Sequence, residues 1–191
     1  MSVIDEPKPK RWTKAEYRSL LDWYGEDWLR SELIDGEIIQ MPPQTEVHSH
    51  ALSLADYAVR KVFRRGYVVK VQSPLDVSRT SEPEPDLMVV KGDVRGLRKH
   101  PSTAELIIEV AWGSLTYDRD TKGSLYASRG IRDYWIVNLH NNTVEVRRRP
   151  AKDADAVFGH SYADTEVLSR GESIAPLAAP KSKIKVADLL P

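Results

Sequence analysis

The stretch Leu106-Ile107-Ile108-Glu109-Val110-Ala111 constrains this chain more than any other. So short an apolar run has the form of a strand buried on both faces, the kind found where helices cover a sheet on each side. A carboxylate stands inside it. Burying Glu109 without a partner costs several kcal/mol, so the fold must supply a cation, a metal or strong hydrogen-bond donors, or open that strand end to solvent. A buried salt bridge and a functional carboxylate both meet that demand.

The rest of the chain supplies the layers such a strand needs. Residues 1–12 are rich in charge and proline and read as a loose arm. Thr13-Lys-Ala-Glu16 has the spacing of a capping box and predicts a short helix running toward Trp23. Residues 31–41, SELIDGEIIQM, predict two strands joined at Asp35-Gly36, a hairpin dipeptide. Val47, Ala51, Leu54, Ala55, Ala58, Val59, Val62 and Phe63 recur at helical spacing before Gly66. Strands are expected at 67–71, 86–90, 106–111 and 133–139, and another around Val144 and Val146. A helix is expected from about Asp118 to Arg129, stopped by Gly130. Strand pieces and a short terminal element should follow Ser161. The order helix, strand, strand, strand, helix, strand describes an α/β fold, a mixed central sheet flanked by helices with an N-terminal helix and hairpin extension.

A length of 191 residues suits a single domain. There is no apolar run near the roughly 18–20 residues of a membrane span, and the N-terminus lacks the apolar stretch of a secretory signal. Without cysteine the chain has no disulfide, thiolate nucleophile or cysteine-bound zinc, which suits a reducing cytoplasm. The 28 basic and 28 acidic residues cancel, which argues against coating nucleic acid through bulk charge. Local basic clusters remain at Arg60, Lys61, Arg64 and Arg65, at Arg95, Arg98 and Lys99, and at Arg147, Arg148 and Arg149. Each is a solvated surface or a phosphate track.

Asp86 turns attention from Glu109 alone to a pair. If 86–90 and 106–110 pair in antiparallel fashion across the intervening loop, residue 90 faces 106 and residue 86 faces 110. Asp86 then lies beside the end of the strand carrying Glu109. Two converging carboxylates repel unless a cation sits between them, and an all-oxygen ligand set suits Mg²⁺ or Mn²⁺. Lys122 follows on the next helix, four residues after Asp118. It forms either an exposed helix pair with Asp118 or a cation poised over the same sheet end, where it can orient a water or offset phosphate charge. Asp118 and Asp120 suit capping at a helix start, Asp118 with a possible supporting role for Lys122. Gln72 is read as a half-exposed strand residue that can turn toward the site. His48 and His50 point to different helix faces and so cannot ligate jointly; polar contacts at the helix start are expected, with His50 the candidate to face the cleft. Tyr134 and Trp135 are expected in the core.

Several segments together carry a resemblance. Glu84-Pro-Asp86-Leu-Met-Val-Val90, Glu105-Leu-Ile-Ile-Glu109-Val, and Tyr117-Asp-Arg-Asp-Thr-Lys122 with Tyr126, Gly130 and Tyr134-Trp135 are similar to the Uma-two family of restriction endonucleases, within the PD-(D/E)xK nuclease superfamily. Glu32-Leu-Ile-Asp35-Gly36-Glu37 followed by Met41-Pro42-Pro43 matches the family's opening signature. The resemblance implies a restriction-endonuclease-like core and a Mg²⁺-dependent endonuclease acting on DNA, with Mn²⁺ as substitute metal. It implies Asp86 and Glu109 as metal ligands aided by the Val110 carbonyl, Lys122 as the catalytic lysine, and Glu32 as an auxiliary acid. A homodimer is implied as well, since many nucleases of the superfamily cut two strands as dimers. The usual superfamily lysine, two residues after the glutamate, is Ala111 here, and Ala111-Trp-Gly-Ser114 departs from the family's common Ser-Pro wording. The competing reading is a non-catalytic scaffold of the same fold that binds nucleic acid or protein.

Overall fold

A computed structural model describes residues 8–24 and 30–191, so the expected arm at 1–12 falls partly outside the described residues. These residues divide into two compact units. In the first, α1 (Lys14–Tyr24) is opened by the expected capping box: the Glu16 carboxylate accepts from Thr13 N at 2.9 Å, and Thr13 Oγ1 accepts from Glu16 N. Strands β1 (Ser31–Ile34) and β2 (Glu37–Gln40) pair antiparallel through Asp35 and Gly36. Both turn residues have positive φ, which the Asp-Gly dipeptide tolerates. Trp12 N donates to Gly36 O, and Leu33 and Glu82 form a bridge that ties residues 77–83 to this unit.

The second unit is built on a six-stranded mixed sheet. Helix α2 (Glu46–Val62) precedes β3 (Tyr67–Val71), β4 (Leu87–Lys91) and β5 (Leu106–Ala111). A helical stretch then runs through α3 (Leu115–Tyr117), a π-helical segment (Asp118–Lys122) and α4 (Gly123–Ser128). Strands β6 (Asp133–Asn138), β7 (Thr143–Lys152) and β8 (His160–Ser169) complete the sheet in the order β3-β4-β5-β6-β7-β8. Only β5 and β6 run parallel, across the helical stretch that links them. The tail forms a small pair, β9 (Ser173–Ile174) with β10 (Ile184–Lys185), and a closing 3₁₀ turn (Val186–Asp188).

Each face of the sheet has its own cover. Ala51, Leu52, Ala55 and Val59 of α2 pack with Leu87, Val89, Leu106, Ile108, Val110, Trp135 and Val137. Alternation sends Met88, Ile107, Glu109, Tyr134 and Ile136 to the opposite face, where α4 lies against β7 and β8. Tyr134 and Trp135, consecutive on β6, therefore serve opposite faces, and both are fully buried as expected. Leu52 rather than Leu54 belongs to the buried stripe of α2. No helix among the described residues is long and apolar enough to cross a membrane.

The strand register and the helix start also differ from those expected. The register of β4 on β5 is one residue away from that expected: Leu87 faces Ile108, Met88 faces Ile107 and Val89 faces Leu106. Both strands are apolar on both faces, so hydrophobic pattern alone could not fix it. Continued by one step, the observed register sets Asp86 across from Glu109 rather than Val110. The helix expected from Asp118 begins earlier, at Leu115, and is not uniformly α: Gly123 N donates to Asp118 O, five residues back.

Candidate functional site

Asp86 sits one residue before β4, and Glu109 lies near the end of the adjacent β5. The two strand ends are cross-braced by their own carboxylates. Glu109 Oε2 accepts from Asp86 N at 3.2 Å, and Asp86 Oδ2 accepts from Val110 N at 2.8 Å. Where regular ladder bonding stops, side-chain oxygens take over two backbone donors. Each carboxylate is thus fixed by the strand that carries the other.

Glu109 is 2% exposed, and the fold answers its burial directly. Lys122 Nζ donates to Oε1 at 3.1 Å, and the Tyr126 hydroxyl donates to the same oxygen at 2.8 Å. Lys122 is itself 2% exposed, so it is a buried cation and not half of an exposed surface pair. Lys122 closes the π-helical segment and Tyr126 follows four residues later in α4, so the two stack along one helix face. Sequence reasoning gave Tyr126 no role; its spacing from Lys122 was the signal.

Asp118 is buried in the π-helical segment and accepts from Ser114 Oγ at 2.6 Å. Its carbonyl accepts from the Tyr134 hydroxyl at 2.8 Å. Burial, then the nearby Asp118 and Glu109 charges, push the Tyr134 hydroxyl well above the ordinary tyrosine value, so it remains a donor. Asp118 is therefore an internal brace of the segment carrying Lys122, beyond the capping role expected of it.

Asp86 is the more open carboxylate, with its side chain 15% exposed. Burial in itself raises its pKa, but the His48 ring, the Lys122 charge and the Val110 N–H together outweigh that and hold it below the ordinary aspartate range. His48 Nε2 lies 3.2 Å from Oδ2, a polar contact near the helix start of the kind expected, whereas His50, the candidate to face the cleft, is exposed. The phase of α2 carried the answer: His48 precedes the buried Ala51, Leu52 and Ala55 by three, four and seven residues. Gln72, exposed and with positive φ, reaches Oδ1 with its amide at 3.4 Å, and its backbone N–H donates to Asp86 O.

Glu32 stands on β1 in the first unit and is buried there, 1% exposed. The basic clusters are largely engaged in structure. Arg147 bonds Glu145, Arg148 bonds the buried Asp133, and Arg149 bonds Asp164. Arg60 pairs with Asp56, and Lys61 lies over the Tyr57 ring. Arg95, Arg98 and Lys99 are exposed in the loop after β4.

The donor chemistry at Asp86 and Glu109 fits a hard divalent cation. Asp86 is held ionised, and among the described residues its Oδ1 is met only by the long Gln72 contact. No group of three His, Cys, Asp or Glu side chains among the described residues is arranged to hold a metal. A two-carboxylate set suits Mg²⁺, which keeps most of its shell as water and takes one or two carboxylates.

A crystal structure described as a putative nuclease belonging to DUF820, from Anabaena variabilis ATCC 29413, superposes with a TM-score of 0.67. It is 18% identical, and the match covers 93% of this chain and 97% of that one, a likeness of fold. None of the curated proteins is similar enough in sequence to count as a match. The Uma2 family, described as "Putative restriction endonuclease", matches residues 15–187, nearly the whole length, and the chain belongs to that family.

Proposed function

We propose that this chain is a Mg²⁺-dependent endonuclease that hydrolyses phosphodiester bonds in DNA, with residues 1–191 acting as one restriction-endonuclease-like domain. One observation carries the reading: Asp86 and Glu109 meet at neighbouring strand ends, each bonded to the other's strand, with the Lys122 ammonium 3.1 Å from Glu109. A purely structural carboxylate needs only its cation, and Glu109 has one. A second, ionised and partly exposed carboxylate beside it is what a metal site requires.

Asp86 and Glu109, with the Val110 carbonyl by family resemblance, would hold the cation. A bound divalent ion supplies a polarised phosphoryl oxygen and a water acidified enough to attack. The chain's own residues do the rest. Asp86 is kept ionised and so stays a ligand at neutral pH. The Tyr126 hydroxyl and Lys122 fix the direction of Glu109. Lys122 carries fixed positive charge to the place where a phosphate gains negative charge, and because it is preorganised it costs no reordering during reaction. Hydrolysis adds the water oxygen to phosphorus, breaks the P–O bond to one sugar and returns a proton to that oxygen. Glu32 enters as an auxiliary acid on the family resemblance alone. A homodimer that cuts both strands of a duplex, working in a reducing cytoplasm, belongs to the same reading.

The buried Lys122–Glu109 pair is also what a non-catalytic scaffold of this fold would retain for stability. Cleavage separates the two. Supercoiled plasmid and end-labelled single-stranded, duplex and branched oligonucleotides are incubated with Mg²⁺ or Mn²⁺ and with EDTA. Metal-dependent cutting that disappears in Asp86→Asn and Glu109→Gln is the expected result. Cutting that survives EDTA or either substitution would contradict the assignment.

A further inference from the structure

We infer that His48 is a positioning residue of the site: through Nε2 it pins one oxygen of Asp86, so that the other is presented to the cation. The inference rests on the metal reading above and adds a residue to it that neither the carboxylate–lysine motif nor the family resemblance assigns. His48 Nε2 is 3.2 Å from Asp86 Oδ2, and Val110 N is 2.8 Å from the same atom. Oδ2 therefore has two nitrogen partners, one from α2 and one from β5. Oδ1 has only the Gln72 amide, at 3.4 Å, among the described residues.

The direction of the His48 hydrogen bond follows from its partners. An ionised carboxylate oxygen accepts and cannot donate, so the proton resides on Nε2. Nδ1 is buried and, among the described residues, meets no hydrogen-bond partner, so the ring's polar contact is made through Nε2. The backbone beneath the ring is anchored as well. Thr45, the N-cap of α2, accepts from His48 N through Oγ1 at 3.3 Å, and Ser49 N donates to Thr45 O. A capped first turn thus delivers the imidazole to Asp86 from 38 residues away in sequence. Groups that orient a metal-binding carboxylate in this way contribute through affinity, and removing one commonly weakens binding by about 10–100-fold.

Calorimetric titration of the full chain with MnCl₂ tests this, using wild type, His48→Ala, His48→Gln, His48→Asn and the exposed control His50→Ala. Glutamine carries its amide nitrogen near the Nε2 position, whereas asparagine carries it near Nδ1 and falls short of Asp86. The expected order is wild type and His50→Ala tightest, His48→Gln close behind, and His48→Asn and His48→Ala weaker by about 10-fold or more. Should the alanine variant fail to fold, the glutamine–asparagine contrast still decides, because a merely structural histidine would not yield that selective rescue. Wild-type binding with unchanged affinity in His48→Ala, or equal affinity of the glutamine and asparagine variants, overturns the role of His48 alone. Absence of Mn²⁺ binding by wild type overturns the metal reading and this inference together.

Discussion

Glu109 shows how one residue's environment can be read and where the reading stops. An acid in an apolar strand had to be partnered, and its partners include Lys122, Tyr126 and the Asp86 N–H. Which partner it would be was open, because both an ion pair and a cation site relieve the same cost. The buried pair makes a stability prediction of its own. Lys122→Met leaves the Glu109 charge in a closed environment and should cost about 3–5 kcal/mol in urea unfolding. Adding Glu109→Gln to that variant should recover most of the loss, since no uncompensated charge then remains. If the double variant were as unstable as Lys122→Met, the cost would lie in packing and not in the stranded carboxylate. His48 was less legible, because a His-x-His pair draws attention as a pair, while the apolar phase of α2 singles out just one of the two.

At the level of elements, hydrophobic period located the strands closely and left their relations open. Strands at 67–71 and 106–111 coincide with those expected, and the capping box at Thr13 and the hairpin at Asp35-Gly36 are present. The β4–β5 register was not recoverable, since strands buried on both faces give the same pattern in either alignment. Nor was the π-helical segment, whose extra residue changes no apolar spacing strongly enough to be noticed. That segment tests the packing account. Alanine at position 123 gains helix propensity worth up to about 1 kcal/mol. Its Cβ, however, would lie 3.2 Å from Asp118 O, an oxygen already bonded by Gly123 N and the Tyr134 hydroxyl and so poorly able to move. Gly123→Ala should therefore destabilise, by about 1–3 kcal/mol in chemical denaturation. A gain in stability would mean that the segment relaxes to regular α-helix at no cost.

For the whole molecule, part of the basic charge that stands out in the sequence is met by acids within the fold. Arg147, Arg148 and Arg149, a candidate phosphate track in sequence, are each bonded to an acid. The sign of the cluster was legible; Glu145 is a local partner two residues from Arg147 on β7, whereas Asp133 and Asp164 come from β6 and β8 and reach the cluster only in the folded sheet. The sheet also explains why the site forms where it does: β5 and β6 run parallel, the stretch between them must return across the sheet, and that return carries Lys122 and Tyr126 onto Glu109. Family membership motivates the nuclease reading, and its central claim is that Asp86 and Glu109 share a divalent cation. Soaking crystals in MnCl₂ and recording anomalous diffraction tests it most directly. The account predicts an anomalous peak about 2 Å from a carboxylate oxygen of each residue, with water filling most of the remaining shell. Saturating Mn²⁺ with no peak between these carboxylates would contradict it and leave Glu109 and Lys122 as a structural ion pair.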